Sequence, residues 1–211
     1  MLDKNRTKLA FDSKFIKIYE YERPGANSYY VASRKDKDRF TATLSDEEAK
    51  TMLPDAVSCF VVLNVKGEEP KLLLNWEFRY PVGQYMLSVP AGLIDKKDYE
   101  NPNALTDTAV RELMEETGIQ VTDADEVKVV NPGVFSTPGM TDENNALVYI
   151  SINRDQMPSM DHDHAEKTEK FQGFRLVTKK EAEKYLVDGK DEHGNYYPLF
   201  TWAALMFFIG V

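Results

Sequence analysis

The sequence predicts an α/β (α+β) protein, a mixed β-sheet sandwiched between helices, with a small β subdomain at its N-terminal end. Two observations carry that class. Apolar, β-branched runs of strand length, such as Ala56 to Val65 and Ala146 to Ile152, are interleaved with helix-periodic stretches, which places helices on the faces of a sheet. Ahead of them, Phe15 to Arg34 alternates (Ile16, Ile18, Tyr19, Tyr21, then Tyr29, Tyr30, Val31) around Pro24-Gly25-Ala26-Asn27, which predicts a β-hairpin of its own.

Residues 1–50 are read as that hairpin subdomain with its connector, and residues 51–211 as the main domain. Asp46 to Met52 suits a short helix, and Ala56 to Val65, Lys71 to Phe78 and Tyr85 to Val89 suit strands. Asn101 as N-cap, Pro102 at the first position and Gly118 past the end bound a helix from Pro102 to Thr117. Val127 to Val130, Ala146 to Ile152 and Phe171 to Val177 are further strands; Lys179 to Asp188 and the largely apolar Leu199 to Ile209 are further helices.

At 211 residues, 42% hydrophobic and 11% aromatic, the chain can bury a substantial core. A net charge of −9 argues against nonspecific binding to nucleic acid or to anionic membranes. No stretch approaches the length of a membrane span, and Met1-Leu2-Asp3-Lys4-Asn5-Arg6 lacks the apolar run of a signal peptide, so a cytoplasmic location is expected. The lone Cys59, set in Val57-Ser58-Cys59-Phe60-Val61, excludes an intrachain disulfide and reads as strand core.

The most informative segment is Arg111-Glu112-Leu113-Met114-Glu115-Glu116-Thr117-Gly118-Ile119. Leu105, Ala109 and Leu113, with Val110 and Met114, form a core-facing stripe, which leaves Glu112, Glu115 and Glu116 together on the other side, within one turn. Their mutual repulsion asks for a cation, and oxygen-only donors suit Mg²⁺ or Mn²⁺, ions that share their coordination with substrate phosphates. Arg111 is placed to pair with Glu115 one turn on and hold that carboxylate. Taken alone, a Glu-x-x-Glu-Glu face is an ordinary solvated surface; Pro90-Ala91-Gly92-Leu93-Ile94-Asp95 before it and Gly118 after it change that.

Gly92, a loop, and then Arg-Glu-Leu-x-Glu-Glu-x-Gly-Ile resembles the signature box of the Nudix hydrolases, enzymes that cleave a nucleoside diphosphate linked to another moiety. The loop is longer than usual, accounted for by an insertion of five residues within Lys96 to Asn103, which leaves Asp98 and Glu100 as alternatives for the first acid of the box. Three further stretches resemble the ADP-ribose pyrophosphatase branch. Phe78-Arg79-Tyr80-Pro81 resembles a strand end whose arginine reaches a substrate phosphate, which assigns that role to Arg79 over an ordinary surface ion pair with Glu77. Pro90-Ala91-Gly92 resembles the segment whose alanine carbonyl is a metal ligand, which assigns Ala91, with Gly92 allowing close backbone approach; the glutamate usual three residues earlier is Ser88 here. Ser136-Thr137-Pro138-Gly139-Met140-Thr141-Asp142-Glu143 resembles the loop typical of ADP-sugar members, bringing Gly139 into the expected substrate site.

The resemblance implies Mg²⁺- or Mn²⁺-dependent attack of water on the pyrophosphate of ADP-ribose or a related ADP-sugar, releasing AMP and a sugar phosphate. It implies Ala91, Glu112, Glu115 and Glu116 as metal ligands and a catalytic base from a late loop, where Glu166 and Glu169 both qualify, Glu169 being preferred for its spacing to the strand at Phe171. His162 and His164 in that acidic loop are read as solvent-exposed. Trp76, Tyr80 and the hairpin tyrosines are the candidates for stacking on adenine, against a plain packing role. Relatives of this kind are homodimers, which an apolar last helix (Trp202, Leu205, Met206, Phe207, Phe208) suits. The expected partner is thus a small nucleoside diphosphate sugar, with neither nucleic acid nor membrane. The alternatives are a hydrolase for another nucleotide sugar such as GDP-mannose, and a noncatalytic Nudix-like binding module.

Overall fold

A computed structural model describes residues 2–211 of the chain, which divide into two compact units. The first comprises the residues up to Asp55 together with Gly133–Asn145. The expected hairpin is present as β2 (Lys17–Tyr21) and β3 (Tyr29–Ser33), but β1 (Thr7–Asp12) adds a third antiparallel strand on the far side of β2. Tyr19 anchors this unit: it is buried, stacks on Phe40 at 4.6 Å, and donates its hydroxyl to the Lys35 carbonyl at 3.0 Å. The short helix α1 (Asp46–Thr51) starts in a capping box, with Ser45 and Glu48 each bonding the other's backbone N–H.

The charged stretch after β3 is more than a connector. Arg34 pairs with Glu143 at 2.5 Å, and the buried Lys35 ammonium bonds the Asp55 carboxylate and, at 3.1 Å, the Asp142 carbonyl. Asp142 in turn accepts from the Thr41 amide at 3.1 Å, and Asp55 from the Asn144 amide at 3.1 Å. These bonds fasten residues 141–145 to this unit, which is why its boundary lies at Asp55 and takes in Gly133–Asn145.

The second unit comprises Ala56–Pro132 and Ala146–Val211. Its strands β4 (Ala56–Val65) and β10 (Phe171–Val177) match the sequence reading, and β5 (Lys71–Arg79) and β6 (Gln84–Ser88) match it to within a residue. β7 (Ala91–Leu93) is a short strand paired to β4, Ser58 opposite Ala91. β8 (Glu126–Phe135) and β9 (Asn144–Arg154) run longer than their apolar stretches, β8 passing straight through Asn131-Pro132-Gly133. As the outermost strand, β8 tolerates a proline that offers no N–H. The seven-stranded sheet has the order β10-β5-β4-β9-β8, with β6 beside β5 and β7 beside β4.

Helices α3 (Lys179–Asp188) and α4 (Leu199–Gly210) cover one face, where Phe60, Val62, Leu72 and Leu74 meet Tyr185, Leu205 and Phe208. The acid-bearing helix α2 (Ala104–Thr117) packs against β4 and β7. It starts two residues later than Pro102: Asn101 spends its side chain on the Asn103 amide (2.9 Å) and on Asp107 (2.9 Å), so 101–103 form a turn ahead of the helix. Its end is as expected, with Gly118 at φ +72° and its N–H on the Met114 carbonyl at 2.9 Å. No described helix is long and apolar enough to cross a membrane.

Candidate active site

Strand alternation and helix spacing bring one set of acids together within the second unit. On β5, Asn75 and Glu77 point to the α2 side, since alternate residues share a face. The Asn75 amide donates to one Glu116 oxygen, and the Ala91 backbone N–H donates to the other at 3.0 Å. Glu112 and Glu115 are shared by Arg111, whose two terminal nitrogens lie 2.8 Å from each, while one also donates to the Leu93 carbonyl at 3.1 Å. So the three acids of the helix do not converge on one point as the spacing suggested: Glu116 turns to β5 and β7, and Glu112 and Glu115 turn to Arg111. Among the described residues no three acidic, imidazole or thiol groups hold their donor atoms already gathered as a metal cluster.

The charges are nonetheless close enough to oppose one another. Burial raises Glu112 to about 7, with Glu115 and Glu169 adding to the rise and Arg111 opposing it. Glu116, 3% exposed, is pushed well above the carboxylate range by burial, opposed by the Ala91 N–H and reinforced by Glu77, Glu169 and Glu112. Glu77 and Glu169 are raised too, first by burial, with the Arg79 guanidinium pulling both back. Arg79 lies 2.8 Å from Glu77. Glu77 was not singled out in the sequence; β5–β6 pairing sets it opposite Met86 and Asn75 opposite Ser88, the position that lacks a glutamate.

These residues fit a divalent cation in kind. Every side-chain donor is a hard oxygen. Gly92 leaves a cradle: a Cβ there would lie 1.9 Å from the Glu112 carboxylate. Beside Glu116, the buried Asn75 Oδ1 has no hydrogen-bond partner among the described residues. The Cys59 thiol, raised well above its ordinary value by burial and by Glu116 and Glu112, is core and no nucleophile.

The remaining expected residues fall differently. Glu169 acts electrostatically on Glu77, Glu112 and Glu116 while its carboxylate accepts the Glu166 N–H at 3.2 Å, whereas Glu166 is exposed, its carbonyl taking the Glu169 N–H at 2.9 Å. Trp76, between Asn75 and Glu77, faces the other side of the sheet; it packs on the α3–α4 core and lies 4.8 Å from the His193 ring, lining a cavity of about 290 Å³ with Tyr85, Gln172 and Asn195. Gly139 belongs to the first unit, where its carbonyl accepts the Tyr29 hydroxyl and nothing crowds its Cα. Gly118 ends α2 against Asp161, whose carboxylate would lie 3.0 Å from a Cβ there. His164 is exposed as expected; His162 is half-buried between two phenylalanines, a correction that local sequence could not supply because Phe171 and Phe174 reach it only through the fold.

The Nudix domain model matches residues 52–200, and the chain belongs to the Nudix family. It is 34% identical over 128 residues to the ADP-sugar pyrophosphatase of Mus musculus, covering 61% of this chain and 54% of that protein. It is 33% identical over 99 residues to the ADP-ribose pyrophosphatase of Saccharomyces cerevisiae, covering 46% of this chain and 39% of that one. The chain thus spans about half or less of the length of these relatives. A solved structure described as an ADP compounds hydrolase shares the fold at TM-score 0.59 and 14% identity, over 99% of this chain and 94% of that one. Nudix hydrolases generally use divalent metal ions.

Proposed function

We propose that this chain hydrolyses the pyrophosphate of ADP-ribose or a related ADP-sugar with the help of Mg²⁺ or Mn²⁺, giving AMP and a sugar phosphate. The observation that carries the reading is the set of mutually opposed carboxylates, Glu112 and Glu116 buried and Glu77 and Glu169 half-buried, offset among the described residues chiefly by Arg79 and Arg111. An arrangement that costs stability without a cation is expected where a cation and an anionic substrate bind. The names of the mouse and yeast relatives support the ADP-sugar class.

A bound divalent ion supplies positive charge to the pyrophosphate oxygens and acidifies water. Ala91, Glu112, Glu115 and Glu116 are the residues that would hold it. Arg111 orients Glu112 and Glu115, and Asn75 with the Ala91 N–H orients Glu116. Arg79, on the Glu169 side of the acids, exchanges its pairing with Glu77 for phosphate oxygens, which its planar fork can grip bidentately. Glu169 takes the proton from the attacking water; its raised proton affinity makes it a better base than a solvated carboxylate. We further propose a homodimer, testable by light scattering on the purified protein.

The test is AMP release from ADP-ribose, ADP-glucose and GDP-mannose, each with and without Mg²⁺ or Mn²⁺. Metal-dependent AMP from an ADP-sugar is the expected result. GMP from GDP-mannose alone would move the substrate class, and tight ADP-ribose binding without product would make the chain a binding module.

A further inference from the structure

The segment between β9 and β10 is tied down at both of its ends, and Glu169 lies between the ties. At its far end the Lys170 carbonyl takes the Phe78 N–H at 2.8 Å, and Phe171 pairs with Glu77 in the sheet. At its near end two consecutive residues bond the last carbonyls of α2: the Asp161 N–H reaches Thr117 O at 3.1 Å, and His162 Nδ1 lies 2.6 Å from Glu116 O. A carbonyl only accepts, so Nδ1 carries the hydrogen. The last carbonyls of a helix have no partner within it, and a donor from elsewhere satisfies them. The imidazole is also held from both sides, its centre 4.6 Å from the Phe171 ring (10° between planes) and 4.1 Å from that of Phe174 (26°). Nε2 is buried and has no partner, so the ring's only polar contact among the described residues is the one to Glu116.

We propose that His162 is a positioning residue: its bond to the Glu116 carbonyl registers the segment bearing Glu169 against the helix bearing Glu112, Glu115 and Glu116. The same residue, Glu116, then offers its side chain to the acid cluster and its backbone to the clamp. A shift of the segment by a fraction of an ångström moves the Glu169 carboxylate relative to the acids it faces. The inference rests on the reading of Glu169 as the base.

Two full-length variants separate the hydrogen bond from the stack. His162→Phe keeps a ring between Phe171 and Phe174 and loses the donor; His162→Asn loses the ring and keeps an amide N–H at the place of Nδ1. The expected result is that His162→Phe lowers kcat on an ADP-sugar by about tenfold or more with KM little changed, since small misplacements of a catalytic group cost rate before affinity. His162→Asn should recover most of that loss. Amide hydrogen exchange over residues 161–170 reads the clamp without activity: faster in the Phe variant, near wild type in the Asn variant. Unchanged kcat and exchange in His162→Phe overturns the proposal, as does an Asn variant no better than Phe. If the wild-type enzyme releases no AMP from any substrate, the activity reading falls, and exchange alone decides whether the clamp exists.

Discussion

Lys35 and Glu116 are both buried ionisable groups, one in each compact unit, and the chain surrounds them in opposite ways. Lys35 is met by a full set of partners: the Asp55 carboxylate, the Asp142 carbonyl and, at 3.7 Å, the Asp142 carboxylate, themselves held by the Thr41 and Asn144 amides. Glu116 is met by neutral donors, Asn75 and the Ala91 N–H, and by three other carboxylates that oppose it. A buried cation met by carboxylates fixes a loop. A buried carboxyl opposed by other carboxyls, and so pushed toward keeping its proton, fixes nothing until something positive arrives, and only the second kind of arrangement is suited to binding and chemistry.

The largest effect that would sharpen this contrast is on the structural side. Lys35→Met leaves Asp55 buried without its counter-charge and should cost about 3–5 kcal/mol in urea unfolding. A loss below about 1 kcal/mol would remove the distinction between the two sites. On the other side, Glu116→Gln takes away one of the opposed charges while Gln still fits beside Asn75; it should lower metal-dependent turnover by about a hundredfold or more with no loss of thermal stability. If it instead unfolds the protein and spares turnover per folded molecule, Glu116 belongs with Lys35.

A smaller effect is expected from Gly92→Ala. The new Cβ would meet the end of a flexible side chain, the Glu112 carboxylate at 1.9 Å, which can turn away. Stability should therefore hold while turnover falls by about tenfold through displacement of one acid. Equal losses in both would mean that the carboxylate cannot move.

A last effect is expected in pH. Glu112 binds its proton up to about pH 7 in the folded chain, against an ordinary value of 4.5, so across that window the folded state holds more protons than the unfolded one. Without divalent ions, this group's contribution is greatest at the low end and is lost as pH rises from 4.5 to about 7. Wild-type stability measured against Glu112→Gln should thus decline over that range, and the thermal shift from added Mg²⁺ should grow over it. A wild-type advantage that instead rises with pH would contradict the burial of Glu112.

Much of α2 could be read in the sequence because everything that defines it is local: helical periodicity sets Glu112, Glu115 and Glu116 within one turn, Arg111 reaches Glu115 four residues on, and Gly118 supplies the positive φ that ends the helix. The largely apolar run of β4 was legible for the same reason. Glu77, Asn75 and Ser88 were not, because an acid on a strand gains meaning only from the strand beside it and the helix across from it. Which face Trp76 serves was not legible either: the pleat of β5 sends its ring to the α3–α4 side and the Glu77 carboxylate to the other. Lys35 and Asp142 lie 107 residues apart, so no local pattern pairs them.

By itself, then, the sequence determined the family signature, the helix that carries the acids, the strands that flank it and the expectation of a cation, since spacing along one element is a local property of the chain. Only the tertiary structure decided which acids oppose one another, which of the two late glutamates faces them, and which buried charges are already satisfied. Those are matters of distance between segments far apart in the chain, and the energy of a buried charge depends on what surrounds it in space.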